Sequence, residues 1–158
     1  MIIIFKKRYK MKKIFALILI ILTFFGSAHA ANRLSASMAS MDGPEGYTYN
    51  KTISENTGME VYAPTDASGA VSFGTQVAQE AVTPSALATV LANSLVKNGT
   101  HSGMTSDNGT PIHVVTSGDG KTVLAIAGDR DAPSYTIIIF TNAAASNAQK
   151  LLKTLKLK

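Results

Sequence analysis

Two histidines and a methionine that stand close together in the sequence, His101, Met104 and His113, could bind a metal ion. Thioether and imidazole groups are ligands that the soft ion Cu(I) accepts. Met38 and Met41 form a further pair that could supply sulfur ligands. The sequence therefore predicts, as one alternative, a protein that binds copper or a small ligand through these side chains. The chain has no M-x-M or H-x-H cluster. The alternative is therefore that His113 is an ordinary strand residue and that the methionines have no common role.

A second run with possible chemistry is GDGKT, from Gly118 to Thr122, which resembles the end of a phosphate-binding loop. That loop requires a glycine five residues before Gly120, and the chain has Val115 there. The residues after Thr122 also follow a strand pattern, whereas the motif is followed by a helix. The run therefore predicts a turn between two strands, in which glycine supplies a positive φ. No nucleotide and no other cofactor is expected.

Nucleophilic catalysis has no recognisable motif in this chain. It contains no cysteine, no G-x-S-x-G and no H-E-x-x-H. A serine, a histidine and a carboxylate that meet only in the fold could still form a site. A small hydrolase is therefore a further alternative, but the sequence favours a protein that is not an enzyme, and no catalytic residue is assigned.

The first thirty residues have the three-part layout of a secretory signal peptide. Lysines and an arginine crowd residues 6–13, an apolar run follows from Ile14 to Phe25, and Ala28-His29-Ala30 forms a small-x-small cleavage site. The apolar run is shorter than the ~20 residues that span a bilayer. We expect cleavage after Ala30 and export to the periplasm or the medium of a bacterium, without a stable membrane anchor.

The net charge of the exported part argues against a nucleic-acid partner. The whole chain has fifteen Lys and Arg, but six of these lie in residues 6–13. Residues 31–158 therefore carry nine basic and ten acidic side chains, and the basic character belongs to the targeting segment. Without cysteine, this part must be stable through packing alone, and its length suits one domain.

The small, polar residues 31–46 are predicted to form a flexible leader, and residues 47–158 a single α+β domain. Within it, Thr83-Pro84 begins a helix that ends at Asn98-Gly99, because Thr83 can cap the helix and Pro84 suits its first turn. A glycine- and serine-rich loop follows. A leucine stripe predicts a second helix from about Ala143 to Leu157. Alternating or β-branched runs predict strands within 47–53, 59–64, 70–78, 111–117, 121–128 and 134–141.

The predicted fold class is therefore α+β, with an antiparallel sheet of five to six strands packed by two helices, one mid-chain and one C-terminal. This order of elements resembles the Mog1/PsbP-like small α+β domains. The resemblance concerns the fold alone and implies no function.

The leading hypothesis for function is a non-catalytic protein-interaction module of the cell envelope, such as an inhibitor or immunity-type domain. Small size, predicted export and the lack of a catalytic motif favour it. Polar loops at 65–69, 100–110 and 129–132 could form the contact surface, since recognition often lies on loops held by a rigid scaffold. The partner expected is a protein that the sequence does not identify.

Overall fold

The computed structural model describes residues 32–77, 83–94, 98–129 and 134–158. Residues 33–158 form one compact unit. The predicted signal peptide and its cleavage site lie outside the described residues and stay predictions. In the part of the chain that the structure describes, no helix has the length and apolar character needed to cross a bilayer.

The strands of this unit form two antiparallel sheets. A main sheet of seven strands has the order β3-β4-β5-β9-β8-β7-β6, and a small sheet of three strands has the order β1-β2-β10. The α+β class predicted from the sequence is confirmed, but the main sheet is larger than five to six strands, and the small sheet was not expected. The strands are β1 Arg33–Ser35, β2 Ala39–Asp42, β3 Thr48–Tyr49, β4 Glu60–Ala63, β5 Gly69–Val77, β6 Thr100–Thr105, β7 Pro111–Thr116, β8 Thr122–Ala127, β9 Ser134–Asn142 and β10 Lys156–Leu157.

The described helices are α1 Lys51–Thr57, α2 Pro84–Ser94 and α3 Ala148–Lys153, with a 3-10 turn at Ala145–Asn147 before α3. The mid-chain helix is confirmed over α2, where the Thr83 hydroxyl accepts the Ala86 N–H at 3.2 Å. Residues 95–97, which the sequence predicts to continue it, lie outside the described range.

Helix α1 was not predicted, because the alternation of Tyr47–Ile53 indicates a strand. Its start is fixed by Asn50, whose side chain accepts the Ile53 N–H, and its end by Gly58 at φ 69°.

The main sheet is covered on both faces, which explains the buried run of β8. One face packs against the small sheet and α3 to form the main core, which includes Phe140, Ile138 and Val114. The other face packs against α2 in a second cluster with Val115 and Leu124. Successive side chains of a strand point to opposite faces, so each central strand supplies both clusters. Hydrophobic burial on both faces holds β7, which carries His113, and β6 with His101 is attached to the sheet by pairing with β7.

Residues 33–42, predicted to lie in a flexible leader, instead form β1 and β2. Leu34 and Met41 face each other across this hairpin and are almost completely buried in the main core. Apolar or small side chains recur at every second position of β1 and β2, so the hairpin can bury one face. A mobile segment could not hold these side chains out of water.

The C-terminal segment is also different from its prediction. The long helix expected from about Ala143 to Leu157 is limited to the 3-10 turn and α3, and the chain then enters β10. The turn at Thr154 ends the helix: its hydroxyl donates to the Leu151 carbonyl at 2.8 Å and accepts the Asp42 N–H at 2.8 Å. Lys158 then binds the β1–β2 hairpin, its Nζ donating to the Ala36 carbonyl at 2.7 Å. Residues 156–157 therefore pair with β2 as a strand and do not continue the helix.

Candidate functional site

The two histidines of residues 31–158 meet on one face of the main sheet. His101 lies on β6 opposite Val115, and His113 lies on β7 opposite Gly103, so the two occupy diagonal positions of one hairpin. His101 Nε2 and His113 Nδ1 are 3.0 Å apart, and the ring centroids are 5.2 Å apart. The His101 side chain is exposed, and that of His113 is half-buried. The register of β6 and β7 therefore assembles two of the predicted ligands.

The predicted sulfur ligands do not join this pair. Met104 lies opposite Ile112 and packs against the main core, on the other face of the sheet from the histidines. Met41 is fully buried in that core, while Met38 is 40% exposed beside β2. The predicted copper set of thioethers and imidazoles is therefore not assembled, because strand alternation sends Met104 away from His101.

His113 also borders a cleft that sequence reasoning missed. The cleft has a volume of about 450 Å³ and lies where the start of α2 approaches the β7 and β8 ends. The proximity of Thr83 to His113 depends on the packing of α2 on the sheet, for which the sequence has no local signal, whereas Asp129 lies near His113 because β8 pairs with β7. Its lining residues are Thr83, Pro84, Ser85, Pro111, His113, Gly128 and Asp129.

Burial lowers the pKa of His113, and the neighbouring His101 lowers it further, since two positive rings would repel each other. His113 is therefore held in its neutral form near neutral pH. A neutral imidazole can accept a hydrogen bond or bind a metal ion through an unprotonated nitrogen.

We expect this lowered pKa to make the folded protein less stable in mild acid. The unfolded chain binds the proton more tightly than the folded one, so the contribution is complete above the unfolded pKa of about 6.5. It is lost as the pH falls from there through the lower folded pKa. Thermal melts across this range should show a flatter pH profile for His113→Gln than for the wild type. Superimposable profiles would contradict the assignment, and His101→Gln, which leaves the burial of His113 in place, should retain part of the dependence.

The hydrolase alternative finds no support in the observed contacts. In the described chain, neither imidazole is hydrogen-bonded to a serine hydroxyl or to a carboxylate; each is bonded to the other. The same residues contain no group of three or more histidine, aspartate or glutamate side chains placed to hold a metal ion.

The GDGKT run forms the predicted turn between β7 and β8. Asp119 accepts hydrogen bonds from the Ser117 hydroxyl at 2.6 Å and from the Lys121 N–H at 2.9 Å, which lower the pKa of its carboxyl. Gly120 has a φ of 69°. The Asp119 carboxylate therefore already accepts the Lys121 N–H, a main-chain donor that a bound phosphate would need.

The hairpin of β6 and β7 also has an open edge. In the described residues, β6 pairs with β7 alone and ends the main sheet. The Ser106 N–H donates to the Thr110 carbonyl at 3.0 Å. In an antiparallel ladder the main-chain N–H and C=O groups of alternate residues point toward the paired strand, so those of every second residue counted back from Ser106 point toward β7. The residues between them, His101, Gly103 and Thr105, therefore direct their main-chain N–H and C=O groups away from the sheet.

Comparison with known proteins gives a relation of fold only. No protein-family model and no curated protein sequence matches the chain. A crystal structure of a protein from Bacteroides thetaiotaomicron VPI-5482 is 13% identical, with a TM-score of 0.44, over 77% of this chain and 45% of that one. The solution structure of cyanobacterial PsbP (CyanoP) from Synechocystis sp. PCC 6803 is 12% identical, with a TM-score of 0.54, over 80% of this chain and 91% of that one. The fold of the chain is therefore similar to that of a PsbP domain.

Proposed function

We propose that the chain is a protein-binding module that takes up an extended segment of a partner protein along the open edge of β6. The observation that carries this proposal is the row of main-chain groups on His101, Gly103 and Thr105, which face away from β7. An extended peptide that lies antiparallel to β6 can satisfy these donors and acceptors and so adds a strand to the sheet.

The composition of β6 suits this use. Proteins commonly block an open edge with proline, lysine or a very short strand. The six residues of β6 contain neither proline nor lysine, and all their side chains except that of Met104 are exposed. The strand at the opposite end of the main sheet, β3, has only two residues and offers little to pair with. The β6 edge is therefore the better place for a partner strand.

The predicted signal peptide supports a location outside the cytoplasm, and the absence of a catalytic motif supports a binding role. The specific role of an inhibitor or immunity-type domain, with a toxin or a hydrolase as its partner, remains a prediction about the class of partner. In each case, the recognition expected is main-chain pairing at β6, with side chains of the partner setting specificity.

Peptides selected for binding from a random display library are the probe for this edge. We expect the selected peptides to bind Gly103→Ala like the wild type and to lose binding, by about tenfold or more, to Gly103→Pro. The proline removes one outward N–H that would donate a hydrogen bond to a carbonyl of the partner strand. A tenfold loss of affinity corresponds to about 1.4 kcal/mol of binding free energy. A Cβ at position 103 has no atom within 4 Å, so the alanine variant is a matched control.

Hydrogen exchange distinguishes this edge from any other surface. Bound peptide should slow exchange of the outward amides of Gly103 and Thr105, while the amides of Ser102 and Met104, which already face β7, should change little. Failure to select any peptide, or protection that falls on other strands, would overturn the proposal. Self-association of the wild type that Gly103→Pro abolishes would show instead that a second copy of the chain occupies the edge.

A further inference from the structure

We infer that His101 and His113 form a two-imidazole chelate for a divalent transition-metal ion, with His101 Nε2 and His113 Nδ1 as the ligand atoms. The two nitrogens already face each other at 3.0 Å, on neighbouring strands whose register holds both histidines on one face. This site is independent of the peptide-binding edge, because it uses side chains and leaves the outward main-chain groups of β6 free.

The distance between the nitrogens is close to that of a real metal site. With metal–nitrogen bonds of about 2.0–2.1 Å, two ligands of a tetrahedral ion are separated by about 3.3 Å. The observed 3.0 Å therefore needs to increase by only a few tenths of an ångström. The His101 side chain is exposed and can rotate to make this change, whereas His113 is held by its partly buried position.

Both ligand nitrogens must be free of hydrogen before they can bind the ion. In the present pair one nitrogen donates a hydrogen to the other. On metal binding that hydrogen leaves its nitrogen and the ring carries a proton on its other nitrogen, so two neutral rings bind the ion with no net release of protons.

The class of ion follows from the ligands present. Cu(I) prefers thioether ligands, but Met104 lies on the opposite face of the sheet. Imidazole alone suits Zn²⁺ and Cu²⁺, which are borderline ions. Two protein ligands leave the remaining coordination positions to water on the exposed His101 side. The structure thus favours Zn²⁺ or Cu²⁺ over the Cu(I) that the sequence suggests.

Calorimetric titration of the protein, purified from cells that express the full chain, with Zn²⁺ alone tests the site. We expect one saturable Zn²⁺ site in the wild type. His101→Gln and His113→Gln should each lower the Zn²⁺ affinity by about a hundredfold. With one imidazole lost, the ion no longer gains from a second ligand held nearby at a high effective concentration. Met104→Leu is the matched control: it changes a nearby side chain on the same hairpin and should leave Zn²⁺ affinity unchanged.

Nuclear magnetic resonance separates ligand loss from misfolding, because the imidazole signals of both histidines should shift on Zn²⁺ addition and return on chelation. Amide spectra of the two glutamine variants should otherwise match the wild type. The absence of saturable Zn²⁺ binding to the wild type would overturn the inference. So would full affinity in both glutamine variants, and so would an equal loss in Met104→Leu, which would place the thioether among the ligands.

Discussion

Phe140→Ala is expected to lower the free energy of unfolding by about 3–5 kcal/mol, because it leaves a cavity in the centre of the main core. Phe140 is fully buried on β9, between Val71 of β5 and Val123 of β8. Neighbouring strands on both sides restrict collapse of the cavity. Urea unfolding followed by circular dichroism measures the change, as a lower midpoint at an unchanged slope.

Tyr49→Ala is the control for this prediction. Tyr49 is 51% exposed on the edge strand β3 and has one aromatic contact, with Tyr62 at a centroid separation of 5.7 Å. Its replacement should lower the free energy of unfolding by about 1 kcal/mol or less. Equal losses in the two variants would contradict the difference in burial.

Leu34→Ala is expected to lower the free energy of unfolding by about 2–5 kcal/mol. Leu34 is 1% exposed and lies so close to Gly43 that a Cβ added there would come within 2.5 Å of its Cγ. The side chain therefore fills the space above Gly43 and joins β1 to the main core. The same urea titration detects the loss.

This variant tests β1 directly, because a flexible leader predicts no effect. Met38→Ala, in the turn between β1 and β2, is the matched control: Met38 is 40% exposed. Its replacement should change the free energy of unfolding by no more than about 0.5 kcal/mol. If Leu34→Ala had as small an effect, residues 33–35 would contribute nothing to the core.

The parts of the fold that the sequence predicts are those that carry their own signal. Strands β7, β8 and β9 are runs of apolar residues separated by turn residues, and Thr83-Pro84 identifies the start of α2. In these elements burial and local preference agree, since the same side chains that favour the element also fill the core.

The parts that the sequence does not predict are strands whose existence depends on a partner. Strand β6 consists of small and polar residues, and only Met104 contacts the core, so no alternation identifies it. Strand β10 follows leucines spaced as in a helix, and only pairing with β2 and the hydrogen bonds of Thr154 show where the helix ends. Contacts with distant parts of the chain, and not the local sequence, therefore determine that β6 and β10 are strands.

The candidate site shows the same division. The sequence identifies His101, Met104 and His113 as potential ligands, but their association depends on whether residues 100–105 form a strand and in which register. Once β6 pairs with β7, alternation brings His101 to His113 and removes Met104. No local pattern contains this register, and none indicates the cleft between His113 and α2.

The small sheet has a consequence for the order in which the chain folds. Ala39 on β2 pairs with Leu157, so one of the two partners of β2 is synthesised at the far end of the described chain. The hairpins of β6 to β8 close between near neighbours and can form early, while contacts between distant residues form slowly. We expect the small sheet to close last. We therefore expect Leu34 and Met41 to stay accessible to solvent during that interval. The β1–β2 hairpin should then be the segment that is exposed longest to proteases and chaperones.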